Sequence, residues 1–454
     1  MDFEWTKGHW LVIFSETPLW LVLLISLAVT LPVGMGRISF LLALLFVPLL
    51  RTARFIRARI GVDNGTLLLR AGWLFRKEER ISAAFVTGVE LNQNLLLRPW
   101  GIWQVRISFL GAAFRPVFAL PRDQADTLLC LLLGKKGSRG SACKASKREF
   151  IRWGLFQPRT VKITALLTPF LAAISALLRL LSRQTLAPQD YEAALRVIFY
   201  LALLGGVLLG LYLLGSLVSL LYKLIIYYRF RVTSYDRLLH VAHGLLRKRE
   251  FWFSRNWIIG MRLTQSALMR PFGYYTVRLT ARGYGGFRRT PLLFPMARRE
   301  TLETLLQAAL LQPLPRLLLQ PPARSRRYFL WRWPIWISGG ATLICAALDL
   351  RVFGGLAFFL FLAAFADGAL RRRNAAAGAS QGLILIAGGG LLQSIELFRR
   401  SAAGEASVLA PVWKLRQGLC SLAIRLPGNF LRKSVAAPNL DAAKTHILQR
   451  FLLR

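Results

Sequence analysis

The chain has 454 residues, 55 % of them hydrophobic, and a formal net charge of +40. Its mean hydropathy of +0.44 lies well above a soluble average, so the charge points to an anionic membrane face and argues against nucleic acid. The cysteines Cys130, Cys143, Cys345 and Cys420 are scattered without a paired motif, which speaks against a disulfide framework.

Residues 1–57 read as a polar lead followed by an apolar hairpin, with runs at 19–33 and 38–50 around Gly34 and Gly36. The lead carries Asp2, Glu4 and Glu16, and is expected not to be a cleaved signal peptide. Residues 58–134 alternate as short antiparallel strands and end in an amphipathic helical pattern. Residues 135–158 read as a flexible basic linker. Residues 159–224 hold a second apolar pair, with spans predicted at 161–181 and 195–221. In the latter, Gly206 and Gly210 form a small-residue pair suited to close helix packing. Residues 225–312 are a second strand-and-helix unit, and 313–328 a Pro-rich basic linker. A third apolar pair covers 329–373, with Trp331, Trp333 and Trp336 at its start. Residues 374–454 form a third, eroded unit.

The units repeat. Gly72 precedes WLFRKE and Gly244 precedes LLRKRE; Gln93 opens QNLLLRPWG and Gln265 opens QSALMRPFG. The spacing from Gly72 to Gln93 equals that from Gly244 to Gln265. Arg98 and Gly101 of the first unit match Arg270 and Gly273 of the second. In the third unit Arg416-Gln417-Gly418 stands in this place and the glutamine is missing. Such co-linear agreement marks an internal repeat. Glycine suits a tight turn, and Gln and Arg beside it can satisfy turn carbonyls, so these residues read as structural or assembly positions.

Arg231-Val232-Thr233, Asp236-Arg237-Leu238, Gly244 to Arg247 and the Gln265-to-Gly273 motif resemble the type-2 bacterial pleckstrin-homology (PH) domain, also called the membrane-flanked domain. Three copies after apolar pairs resemble its large YdbT-like members. The resemblance implies an α+β membrane protein. Six transmembrane helices would form three hairpins, each followed by a cytoplasmic PH-like β-sandwich with a C-terminal helix. Lys and Arg flank one side of the predicted spans and the opposite loops hold only Arg37, Arg183 and Arg351, which places both termini in the cytoplasm of a bacterial inner-membrane, multi-pass protein.

No catalytic set, cofactor motif or metal-ligand spacing is present. His240 and His243 lie on a predicted strand and face opposite sides. Basic residues are the candidate contacts for anionic lipid: Arg51, Arg54, Arg57, Arg76, Lys77, Arg247, Lys248, Arg249, Arg371, Arg372 and Arg373. The expected role is a non-enzymatic assembly scaffold in envelope or membrane-stress maintenance. Its partners would be the anionic inner leaflet, a small membrane protein with one PH-like domain, and further copies of itself, with no nucleic acid and no cofactor. The alternative is a protein that binds or moves phospholipid.

Overall fold

The computed structural model describes residues 3–7, 59–71, 77–110, 117–134, 138–156, most of 210–282, 291–310, most of 318–347 and 351–426, and 433–453. Strands dominate. The first unit has β1 (Phe3–Lys7), β2 (Arg59–Asp63), β3 (Thr66–Ala71) and β4 (Lys77–Ser82). It continues with β5 (Val86–Gln93), β6 (Ile102–Phe109), β7 (Val117–Pro121) and helix α1 (Arg122–Leu133). In α1 the buried residues Ala125, Leu128, Leu129 and Leu132 recur at helical spacing, so one face closes the sandwich.

The second unit opens with β8 (Arg139–Lys144) and α2 (Lys147–Phe156). Composition reads this stretch as linker, but β8 gains its structure by adding to β9 (Arg231–Tyr235), a pairing that local composition cannot signal. Then come β10 (Leu238–His243), β11 (Lys248–Ser254), β12 (Ile258–Ser266), β13 (Tyr275–Ala281), β14 (Leu292–Ala297) and α3 (Arg299–Leu310).

Three helices lead into the last unit: α4 (Arg326–Leu330), α5 (Trp333–Ala347) and α6 (Arg351–Asn374). The unit itself contains β15 (Ala376–Ala379), β16 (Leu383–Gly388), β17 (Leu392–Arg399) and β18 (Glu405–Leu409). After these lie the single turn α7 (Val412–Leu415), β19 (Leu419–Leu426), β20 (Lys433–Asp441) and α8 (Ala442–Leu453). From β15 to α8 its order repeats that from β2 to α1 and from β9 to α3.

The sheets do not respect the units. A seven-stranded sheet runs β7-β6-β5-β11-β10-β9-β8, and a six-stranded sheet runs β14-β13-β12-β17-β16-β15. The second half of the first unit is thus continued by the first half of the second, and that of the second by the first half of the third. Cores follow the sheets. Leu238 and Trp252 of the second unit pack with Leu91, Val105 and Leu128 of the first. Leu383, Leu385 and Leu397 of the third pack with Leu263, Val277 and Leu305 of the second.

One expectation is corrected here. Among the described residues no helix is long and apolar enough to cross a membrane. Six transmembrane helices, and with them a multi-pass inner-membrane placement, are therefore not what the structure supports. Helix α5 has 15 residues, short of the roughly 20 that span a bilayer. Helix α6 is continuous, but its apolar run breaks at Asp367; its end carries Arg371, Arg372 and Arg373 and is tied into the third unit by the Leu391 N–H donating to Asp367. The runs predicted at 19–50 and 161–181, and 195–221 up to residue 209, lie outside the described residues.

Candidate functional site

The repeat motif lies at the two places where one unit meets the next. At the first junction β11 pairs antiparallel with β5, from Lys248 opposite Gln93 to Phe253 opposite Gly88. At the second, β17 pairs with β12, with Gln393 opposite Gln265 and Phe398 opposite Gly260. Both registers put a glycine of one unit against a phenylalanine of the next. The second shows why. A Cβ on Gly260 would lie 2.1 Å from the Leu397 carbonyl oxygen. Glycine inside a strand here permits close backbone approach.

The turns beside these strands carry the other motif residues. Gln93 Nε2 donates to the Ile102 carbonyl at 3.4 Å, and Gln265 Nε2 to that of Tyr274 at 3.1 Å. Each glutamine thereby fixes the entry of the following strand. Gly101 and Gly273 adopt left-handed φ of 64° and 63°, which suits glycine. Arg98 and Arg270 then reach across the junctions. Arg98 donates through Nη2 to the carbonyl of Leu245, and Arg270 through Nη2 to that of Gly390. The receiving turns are themselves held. Gly244 N–H donates to Tyr228 O at 2.9 Å, and Leu391 N–H to Asp367 Oδ1 at 2.8 Å. Asn374 Nδ2 donates to Gly389 O and Gly390 O at 2.7 and 3.0 Å.

Charge is balanced locally around the second junction. Burial pushes the Arg270 guanidinium down, with Asp367 opposing the shift. Burial would raise the Asp367 carboxyl, but Arg371 and the Leu391 N–H hold it below the usual range. Arg371 Nε donates to Asp367 Oδ2 at 2.6 Å. Arg262 and Glu396, facing each other across β12 and β17, form a further ion pair. At the first junction Glu250 accepts from Arg122 Nη2 at 3.2 Å and lies 3.7 Å from His240 Nε2.

Both junctions also expose apolar side chains. Leu95, Trp100, Leu245 and Leu246 stand out at the first, and Leu268, Phe272, Leu391 and Leu392 at the second. Trp100 is 63 % and Phe272 56 % exposed, unusual for such large rings. The signal was present in the sequence as Leu-Leu after the turn glycine in units two and three, and as Trp or Phe before the left-handed glycine in units one and two.

The predicted basic contacts separate into groups. Arg247, Lys248 and Arg249 lie at the start of β11, beside the first junction. Arg371, Arg372 and Arg373 lie in the last turn of α6, beside the second. Lys77 opens β4, which sits at a sheet edge away from both pairings. Arg51, Arg54, Arg57, Gly72, Arg76 and Gly206 lie outside the described residues. Gly210 faces open space. His240 stacks on Trp252 at 3.9 Å, and His243 is buried against Tyr227 and Phe230. Among the described residues no His, Cys, Asp or Glu cluster could hold a metal ion.

A family model described as bacterial PH domain matches residues 20–136 and 158–310, more than half of the chain. It covers the first two units and not the third, so the finer likeness to a three-domain, YdbT-like member has no support from it. No match was found among curated proteins or solved structures.

Proposed function

We propose a non-catalytic scaffold role for this chain, which belongs to the bacterial PH domain family. PH domains are generally binding modules without catalysis, and this family points to a membrane-associated or a protein- or lipid-binding role. The observation that carries the scaffold reading is the edge-to-edge joining of units through β5–β11 and β12–β17, clasped by Arg98 and Arg270. Main-chain pairing of this kind is a general mode of recognition between β domains. A small protein with one PH-like domain would present the same strands, and is the partner class the reading favours. Native mass spectrometry of the gently purified chain tests it. A defined heteromer that is lost in a folded Gln265→Ala, Arg270→Ala double variant supports the scaffold; an unchanged assembly in that variant sinks it.

A second reading is favoured by a separate observation. The exposed Leu, Trp and Phe tips stand beside arginines at both junctions, the composition of a surface that rests on anionic phospholipid. Lipid co-purifying above the level of a control protein supports it, and none above that level counts against it.

A further inference from the structure

The third unit departs from its siblings at one position, and a cavity lies there. Counting back equally from the left-handed glycines Gly101, Gly273 and Gly418 gives Leu97, Met269 and Lys414. Two backbone bonds of the turn recur in the first and third units, although the third winds it as the helical turn α7. Leu97 N–H donates to Asn94 O at 3.0 Å and Lys414 N–H to Pro411 O at 2.9 Å; Gly101 N–H donates to Arg98 O at 3.0 Å and Gly418 N–H to Leu415 O at 2.8 Å. Leu97 and Met269 are 0 % and 1 % exposed and plug the end of their sandwiches. Lys414 puts an ammonium where those units bury a hydrophobe.

Beside it is a cleft of about 550 Å³ lined by Arg327, Tyr328, Trp413, Lys414 and Gln417. Lys414 Nζ donates to Asn439 Oδ1 at 2.8 Å and lies 5.3 Å over the Tyr328 ring. Both partners are neutral. Asp441, the carboxylate at the end of β20, is engaged by Arg324 at 2.7 Å. The Tyr328 hydroxyl donates to the Trp413 carbonyl at 3.3 Å, which holds the two aromatic walls together. The cleft therefore combines two cations with apolar walls, and Lys414 retains donors beyond the one that Asn439 takes.

We propose that this cleft binds a phosphate group, with Lys414 Nζ and the Arg327 guanidinium donating to its oxygens and Trp413 and Tyr328 covering the adjoining carbon skeleton. Charge-assisted bonds to phosphate are the strong ones for these side chains. Burial pushes the Lys414 ammonium down, an imbalance that an incoming anion relieves. The inference stands apart from the scaffold reading, because it uses none of the junction residues.

The same phosphate chemistry has two sources, a phospholipid head group or a soluble phosphomonoester. The test uses the purified full chain and three variants. Lys414→Met restores the hydrophobe found at Met269, so it is expected to fold. Lys444→Gln removes one exposed charge from α8 as a control for general electrostatics, and Arg327→Gln stands in if Lys414→Met fails to fold. Binding is read by calorimetry with glycerol 3-phosphate, and by sedimentation with phosphatidylcholine vesicles with and without phosphatidic acid. The expected result is a loss of roughly tenfold or more in Lys414→Met against little change in Lys444→Gln. Loss with both ligands assigns a soluble phosphomonoester site, and loss with vesicles alone assigns a head-group site. No binding of either ligand, or equal loss in Lys414→Met and Lys444→Gln, overturns the proposal.

Discussion

Gly260 lies opposite Phe398 across the β12–β17 pairing, and an added Cβ would stand 2.7 Å from the Phe398 Cα. Backbone and not a flexible side chain occupies that space, so the strands must separate to admit a methyl group. Gly260→Ala is expected to cost on the order of 1–3 kcal/mol, as overpacking generally does. The loss should be local. Hydrogen-exchange protection should fall in β12 and β17, while β5 and β11 keep theirs. Uniform protection and an unchanged melting temperature would show that the close approach is not a constraint.

Gln265 and Arg270 act on the same junction by different routes. Gln265 supports a turn carbonyl within its own unit, and Arg270 one in the next. Gln265→Ala strands the buried Tyr274 carbonyl and is expected to lower stability by about 1–3 kcal/mol. Arg270→Ala removes one of several bonds on the Gly390 turn, where Asn374 and Asp367 keep theirs, and is expected to cost less overall, yet to deprotect the amides around Leu391 selectively. Urea unfolding with residue-level exchange separates the two. Equal and global effects from both variants would contradict this division.

Much of this arrangement is legible in the residues. Alternation from Arg231 to His243 marks strands, and the Gly72–Gln93 spacing repeated at Gly244–Gln265 marks matching units. Gln, Arg and Gly at the turns announce carbonyl satisfaction. What the pattern cannot carry is which strand edge meets which. The pairing of Lys248 with Gln93 joins residues far apart in sequence, and periodicity reports only on neighbours. The useful clue was Gly88 and Gly260 inside strands that otherwise favour bulky residues. Hydropathy also misled. Val352 to Ala369 is apolar enough to suggest a span, but Asp367 within it bonds the Leu391 amide and Arg371, which makes that end of the helix part of the third unit. Lys414 is less legible, because Arg416-Gln417-Gly418 resembles the motif while the departure lies two positions before it.

Acid should destabilise the fold in two steps. Burial pushes the His243 imidazole down to about 4, with Arg249 adding to the shift and the Ile226 carbonyl, 3.0 Å from Nδ1, opposing it. Its folded pKa lies below the unfolded value of about 6.5, so the stability of the neutral ring is intact above that pH and is lost as pH falls towards 4. Burial would raise Glu250, but His240 and Arg122 hold it at about 2. Its contribution is intact above about 4.5 and is lost only as pH falls from there through 2. Urea midpoints should therefore drop first between roughly pH 6.5 and 4, then again below. His243→Phe, which fits the surrounding rings, should flatten the first step and leave the second. A first step that persists unchanged in this variant would assign it to another group.

The exposed tips make the last prediction. Leu268 and Phe272 are half exposed and lie outside the buried core, so replacing both with serine should change stability little, within about 0.5 kcal/mol. If the tips enter a lipid surface, the same change forfeits the burial of two large side chains, each worth roughly 1.5–3 kcal/mol when fully transferred. Sedimentation with phosphatidylglycerol vesicles should then weaken by an order of magnitude or more. Arginine changes at Arg372 and Arg373 should act differently. Their attraction is electrostatic and should fade as salt shortens the Debye length to about 3 Å at 1 M. The apolar contribution should survive that salt. Binding that vanishes at high salt and ignores the Leu268→Ser, Phe272→Ser change would reduce the junction surface to a diffuse basic face. Binding that persists at high salt and fails in the double variant would make the apolar tips the anchor and the arginines their guide.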